Sequence, residues 1–179
     1  GGIMDTDGLR HKTADETLLS SVAAAAQTLL TCANLDLSIV RAIEIAGRAI
    51  DADRVCVFET HHHPRTDEVL VSQRYEWVHE AGSSRRGAPM QNVSLSGSFP
   101  RWHAALSVGN PLQGLTRDFP VEERALLESQ GILSVLIVPI MMQERWGGFV
   151  CFDDCRRERA WTAGERSILQ PLAACLGGA

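Results

Sequence analysis

The stretch "ILSVLIVPIMMQERWGGFVCFD", residues 132–153, constrains this chain more than any other. Its first half is aliphatic at consecutive positions, so both faces of the strand it forms are apolar. Such a strand must be covered on each side, which excludes a sheet with one wet face. Gln143-Glu144 supplies a reversal, and "RWGGFVCFD" returns antiparallel to the first half.

Around this hairpin the sequence divides by period. Residues 15–33, "DETLLSSVAAAAQTLLTCA", read as a helix, with Leu18, Val22, Ala25, Leu29 and Cys32 at alternating four- and three-residue steps. A second stripe, Leu19, Ala23, Ala26, Leu30 and Ala33, runs beside it. Such a helix either serves its own core with one stripe and a partner with the other, or buries one broad side. Asp36 has the chemistry of an N-cap for a second helix, with Ile39, Ile43, Ala46 and Ile50 on one face. "RVCVFET" (54–60) and "EVLVSQRYEWV" (68–78) read as strands joined by the loop "HHHPRTD".

From residue 81 to 120 the periodicity fails. "EAGSSRRGAPMQ" reads as a loop, "NVSL" and "NPLQG" as short strands, and "FPRWHAALSV" as a short helix. "DFPVEERALLESQG" is a helix with Pro120 near its first turn, Glu122 and Glu123 at its positive end, and Gly131 to close it. Thr162 to Glu165 forms a capping box that opens a last helix, apolar at Ile168, Leu169, Leu172 and Leu176, and Pro171 is expected to kink it. Strands mostly adjacent in sequence predict an α+β fold on an antiparallel sheet, with helices on one face and the irregular middle on the other.

Composition sets the outer limits. A chain of 179 residues with 45% hydrophobic and 22% charged residues suits one soluble globular domain. Its net charge of -5 argues against a nucleic-acid partner. No apolar run approaches the roughly 18 residues of a membrane span, and no signal peptide opens the chain. Five cysteines without a secretory signal point to reduced thiols and a cytoplasmic location. Residues 1–14 are expected to be a disordered leader or a cloning remnant, and 15–176 the domain.

Several stretches look chemical. In "FVCFDDCRRERAW" an extended backbone would set Cys151 and Cys155 roughly 13 Å apart, beyond the roughly 7 Å that a disulfide tolerates. The segment therefore reads as a strand end followed by a solvated charged turn. His61, His62 and His63 sit at a hairpin with no cysteine nearby and read as an exposed loop, so no metal site is assigned. There is no Gly-rich phosphate loop and no Ser/His/Asp arrangement, and no catalytic residue is assigned.

The order and spacing of the second half resemble the GAF domain family. The carrying features are the acidic helix ending Gln130-Gly131-Ile132, then Ser134, Pro139-Ile140, Trp146-Gly147 and Phe152-Asp153-Asp154, followed by Arg159, Trp161 and Glu165. Tyr75-Glu76-Trp77 and "NPLQGLTRDFP" also resemble it, so the likeness spans about residues 15–176. It is nearest in look to GAF domains of bacterial sensor histidine kinases and diguanylate cyclases. The resemblance implies a six-stranded antiparallel sheet, terminal helices on one face, and a loop-and-helix lid over a small-molecule pocket on the other.

The expectation is a sensory or regulatory domain of two-component or related signalling. It would bind a small ligand, pair as a homodimer, or do both, and so control an output domain of the same protein. Tyr75, Trp77, Phe99, Trp102, His103, Phe119, Ser134 and Leu136 are the candidate ligand-binding residues. Leu18, Val22, Ala25, Leu29, Leu172 and Leu176 are the candidate dimer interface. The cofactor is unknown. Family members that attach bilins use a Cys-His pair or an Asp-X-Cys-Phe motif, and cyclic-nucleotide binders use an Asn-Lys…Phe…Asp-Glu pattern; neither occurs here. The alternatives are an enzyme like the free methionine sulfoxide reductases, which use pocket cysteines, and a ligand-free dimerisation module. Against the enzyme, no cysteine lies between Val57 and Val150.

Overall fold

The computed structural model of the protein describes residues 6–80 and 89–178. Its elements are α1 (Thr6–Thr31), α2 (Leu35–Ala49), β1 (Arg54–His62), β2 (Val69–Val78), α3 (Leu95–Ser98) and α4 (Pro100–Leu106). After them come β3 (Leu112–Leu115), a 3-10 turn (Thr116–Asp118), α5 (Val121–Ser129), β4 (Ser134–Met142), β5 (Arg145–Asp154) and α6 (Ala163–Gly178). Most of the loop expected after Glu80 lies outside the described residues, as do the first five residues of the expected leader. The rest of that leader is helical, because α1 starts at Thr6 rather than at Asp15.

The strands form one antiparallel sheet in the order β2-β1-β5-β4-β3. It has five strands where six were expected. "NVSL" fails as a strand because only Val93 pairs, exchanging backbone hydrogen bonds with Val71 before Ser94 caps α3. The β4–β5 hairpin turns on Gln143 and Glu144, both at positive φ (50° and 67°), a primed turn whose twist matches that of the strands. β1 extends through His62, so His61 and His62 belong to the strand rather than the loop. His61 Nε2 lies 2.8 Å from Ser72 Oγ, and His63 Nδ1 accepts from the backbone of Arg65 and Thr66, so these rings serve the hairpin.

Both faces of the sheet are covered, as β4 demands. Alternation sends Val55, Val57, Trp77, Leu136, Val138 and Phe152 towards α2 and α6, and α1 packs across those two helices. The first stripe of α1 goes into this core: Leu18, Val22 and Ala25 are buried and Leu29 is partly so. Leu19 and Leu30 of the second stripe are 58% and 83% exposed. α2 is capped by Asn34, whose side chain accepts from Leu37 N, and not by Asp36; Asp36 instead accepts a 2.6 Å hydrogen bond from Tyr75. The capping box of α6 forms in both directions, between Thr162 and Glu165. The helix continues through Pro171 to Gly178.

"FDDCRRERAW" is a ring of buried acids closed by arginines. The Asp53 carboxylate, on the residue before β1, accepts from the backbone N–H of Cys155 and Arg156 and from Arg156 Nε. Asp154 accepts from the backbone of Arg156 and Arg157 and from Arg157 Nε. Burial alone would raise the Asp154 carboxyl, but those backbone donors and the Arg157 charge hold it below the usual range. Arg159 bonds the carbonyl of Ile50 and the carboxylate of Glu165, joining the end of α2 to the start of α6.

Candidate ligand pocket under the lid

The other sheet face carries the opposite parity. Arg54, Cys56 and Phe58 of β1 line up with Phe149, Cys151 and Asp153 of β5 and with Val135 and Ile137 of β4. Over them lie α3, α4 and α5, with Leu95, Trp102, Leu126 and Leu127 pointing down. Between sheet and lid is a cavity of about 50 Å³, enough for a few waters. Its walls are mostly apolar, with Gln73 of β2 on one side and a polar end where Arg54, Asp153 and Gln130 meet.

That polar end is built around Arg54, which is 3% exposed. Its Nε donates to Asp153 Oδ2 at 2.8 Å and its Nη2 to the backbone carbonyl of Gln130 at 3.2 Å. Burial works against the guanidinium charge, but the Asp153 charge and hydrogen bond outweigh it and hold the Arg54 pKa above its ordinary value. Cys56 and Cys151 are register partners across β1 and β5, both buried and both facing the cavity. Burial pushes the Cys151 thiol well up, and pushes Cys155 up to about 11 despite nearby Arg54, so neither is poised as a thiolate nucleophile. Among the described residues there is no group of three potential metal ligands.

The lid is latched from above. Glu123 of α5, 5% exposed, accepts from the Trp102 indole and from Arg101 Nε at 2.9 Å. Phe99 and Phe119 flank Trp102, at ring separations of 5.5 and 6.4 Å. Their burial belongs to this lid cluster, behind Trp102, rather than to the cavity wall.

The structure divides the residues predicted to bind a ligand. Trp102 lines the cavity, with Phe99 and Phe119 behind it. His103 turns to the edge of Trp146, 5.3 Å away, and its Nδ1 is buried with no partner among the described residues. Tyr75, Trp77, Ser134 and Leu136 lie on the helix face: a register shift at Arg74 separates Tyr75 and Trp77 from Val71 and Gln73, which line the cavity, and alternation along β4 carries Ser134 and Leu136 to the helix side. Trp77 packs beside Gly47 of α2, and Leu136 is in the helix-side core. Ser134 donates to Arg159 O at 2.6 Å and accepts from Trp161 Nε1 at 2.9 Å.

Of the residues predicted for a dimer interface, Leu18, Val22, Ala25, Leu172 and Leu176 are buried in this domain's own core, and Leu29 is partly so. Sequence reasoning missed Arg54, Gln130 and Asp153. The available signal was that Arg54, Cys56 and Phe58 alternate along β1, so the arginine shares a face with the cysteine, whichever face the lid covers.

An antiparallel sheet with helices on one face and a lid over a small cavity on the other defines an α+β domain with one packed face and one lidded face. The chain belongs to the GAF domain family, whose model matches residues 34–179. It is 41% identical over 165 residues to the methanogenesis regulatory histidine kinase FilI of Methanothrix harundinacea, covering 92% of this chain and 18% of that protein. The chain thus spans about a fifth of that relative's length. Among solved structures it resembles a phycocyanobilin-bound GAF domain from a cyanobacterial phytochrome, with a TM-score of 0.69, 16% identity and 92% of each chain covered. It also resembles the chromophore-binding domain of the Stigmatella aurantiaca bacteriophytochrome, with a TM-score of 0.67, 11% identity, and 90% of this chain and 59% of that one covered. At such identities the structural likeness speaks for the fold. No helix among the described residues is long and apolar enough to cross a membrane.

Proposed function

We propose that this chain is the sensory or regulatory domain of a cytoplasmic signal-transduction protein of the histidine-kinase kind. It binds a small ligand under the lid and passes the change to an output domain through its helices. The observation that carries the reading is the cavity itself: mostly apolar walls, a polar end with a buried arginine, and a lid whose Trp102 is held by the Glu123 carboxylate. Ligand binding displaces the lid or the sheet beneath it. The arginine ring at Asp53, Asp154 and Arg159 ties that sheet to α2 and α6.

Homodimerisation is part of the same reading, but through the exposed second stripe of α1. Leu19→Glu with Leu30→Glu should turn a dimer into a folded monomer by light scattering. An unchanged dimer would remove this surface from the proposal. A native mass spectrum of the protein purified without added ligand, compared with the denatured spectrum, tests the ligand. Extra mass that vanishes on denaturation supports the sensor. A bare dimer moves weight to a dimerisation module.

The facing Cys56 and Cys151 favour one second reading, a reductase of free methionine sulfoxide. The raised thiol of Cys151 weighs against it. Thioredoxin-dependent activity lost on changing both cysteines to serine would reverse that ranking.

A further inference from the structure

We propose that the ligand of the lid cavity is an uncharged molecule with a compact apolar body, of about one aromatic ring, and a single strong hydrogen-bond acceptor such as a carbonyl, which Arg54 anchors. The inference rests on the ligand-binding reading above and names the chemistry of that site.

Arg54 carries more donors than the fold uses. Nε is committed to Asp153 and Nη2 to Gln130 O, while no described residue accepts a hydrogen bond from Nη1. The guanidinium is nearly fully buried, and it lines the cavity. A buried charged donor is costly without an acceptor, so solvent or a ligand must supply one. A ligand that displaces solvent here keeps its affinity only by presenting an acceptor of its own.

Charge then chooses between acceptors. Asp153 already sits on Arg54 and balances it, with both side chains out of water at 4% and 3% exposure. A carboxylate or phosphate on the ligand would bring a second anion into the same dry corner, within reach of one guanidinium that is already paired. The desolvation of that added charge would be poorly offset. A carbonyl meets the geometric need without the charge.

Apart from Gln73, the rest of the cavity calls for an apolar body. Val71, Leu95, Trp102, Leu126, Ile137 and Phe149 offer aliphatic and aromatic surface. Trp102 gives a ring against which another can stack or lie edge-on. As it stands the cavity holds only a few waters, so a ring-sized body enters as the lid shifts. Met90, half-buried at the rim, has the flexibility to repack around it.

The test uses three probes of matched shape on the whole chain by titration calorimetry: acetophenone, benzoate and ethylbenzene. Acetophenone is expected to bind at least about tenfold more tightly than either of the others. Benzoate binding as tightly would overturn the charge argument, and ethylbenzene binding as tightly would overturn the anchor. If none of the three binds, the ligand-binding reading falls with the inference, whereas binding without discrimination sinks the inference alone. Replacing Arg54 alone would strand Asp153, so the variant is Arg54→Met with Asp153→Leu, checked for folding by circular dichroism. It should bind acetophenone no better than ethylbenzene; retained preference for acetophenone would overturn the role of Arg54.

Discussion

The two faces of the sheet are made by the same strands and are built to different ends. On the helix face Val55, Leu136, Val138 and Phe152 are at most 1% exposed and meet α2 and α6 without a buried arginine or cysteine among them. On the lid face the same strands carry Arg54, Cys56, Cys151 and Asp153, and a cavity remains. One face is packed for stability, and the other keeps polar groups and space that stability alone would have removed. Strand alternation makes this division possible, since neighbouring residues answer to different constraints.

The largest effect should come from breaking the packed face. Leu136→Ala removes a side chain with 0% exposure in the helix-side core and should cost about 2–5 kcal/mol in denaturant unfolding. It should leave the probe preferences of the lid cavity unchanged, because the sheet lies between. A Leu136 variant of normal stability and altered probe binding would mean that the faces have been assigned the wrong way round. The α1 stripes sharpen the same contrast. Leu18→Glu with Leu29→Glu should unfold the domain, since Leu18 is 4% exposed in the core, while the Leu19 and Leu30 pair should leave it folded.

Next comes the lid latch. Glu123→Ala leaves the buried Trp102 indole without its acceptor and should cost about 1–3 kcal/mol. Most of that belongs to the indole, because Arg101 is half exposed and its ion pair is screened. Hydrogen exchange should rise in α4 and α5 and stay unchanged in α2 and α6. Faster exchange spread evenly through the domain would show that the latch holds the whole fold rather than the lid.

Much of this contrast was legible in the sequence, and the part that was not has a physical cause. The β4–β5 hairpin, the capping box of α6 and the doubly covered sheet follow from local pattern, because consecutive apolar residues and Thr162 with Glu165 leave few alternatives. Which face each strand turns to the lid is set by how the sheet is paired and covered, information that no single strand contains. An aromatic residue such as Trp77 therefore looked like a pocket wall when it was packed on α2. The two stripes of α1 are nearly equal in composition, so sequence could show that both existed and not which one α2 and α6 would bury. Arg54 escaped notice because a lone arginine opening a strand looks like a solvated end until Asp153 arrives from a strand 99 residues away in sequence.

The smallest expected effect lies on the helix side, at Tyr75. Its hydroxyl donates to Asp36, and that hydrogen bond, with partial burial, pushes the phenol up to about 12. The folded pKa is raised, so the contact's contribution is complete below the ordinary value of about 10 and is lost as pH rises towards the folded one. Tyr75 is the only tyrosine of the chain, so tyrosinate absorbance reports it alone. Asp36→Asn should bring the midpoint down towards about 10 while changing stability at neutral pH by less than about 1 kcal/mol. If the midpoint stays near 12 in that variant, burial rather than Asp36 sets it. The link between the start of α2 and the end of β2 would then be packing alone.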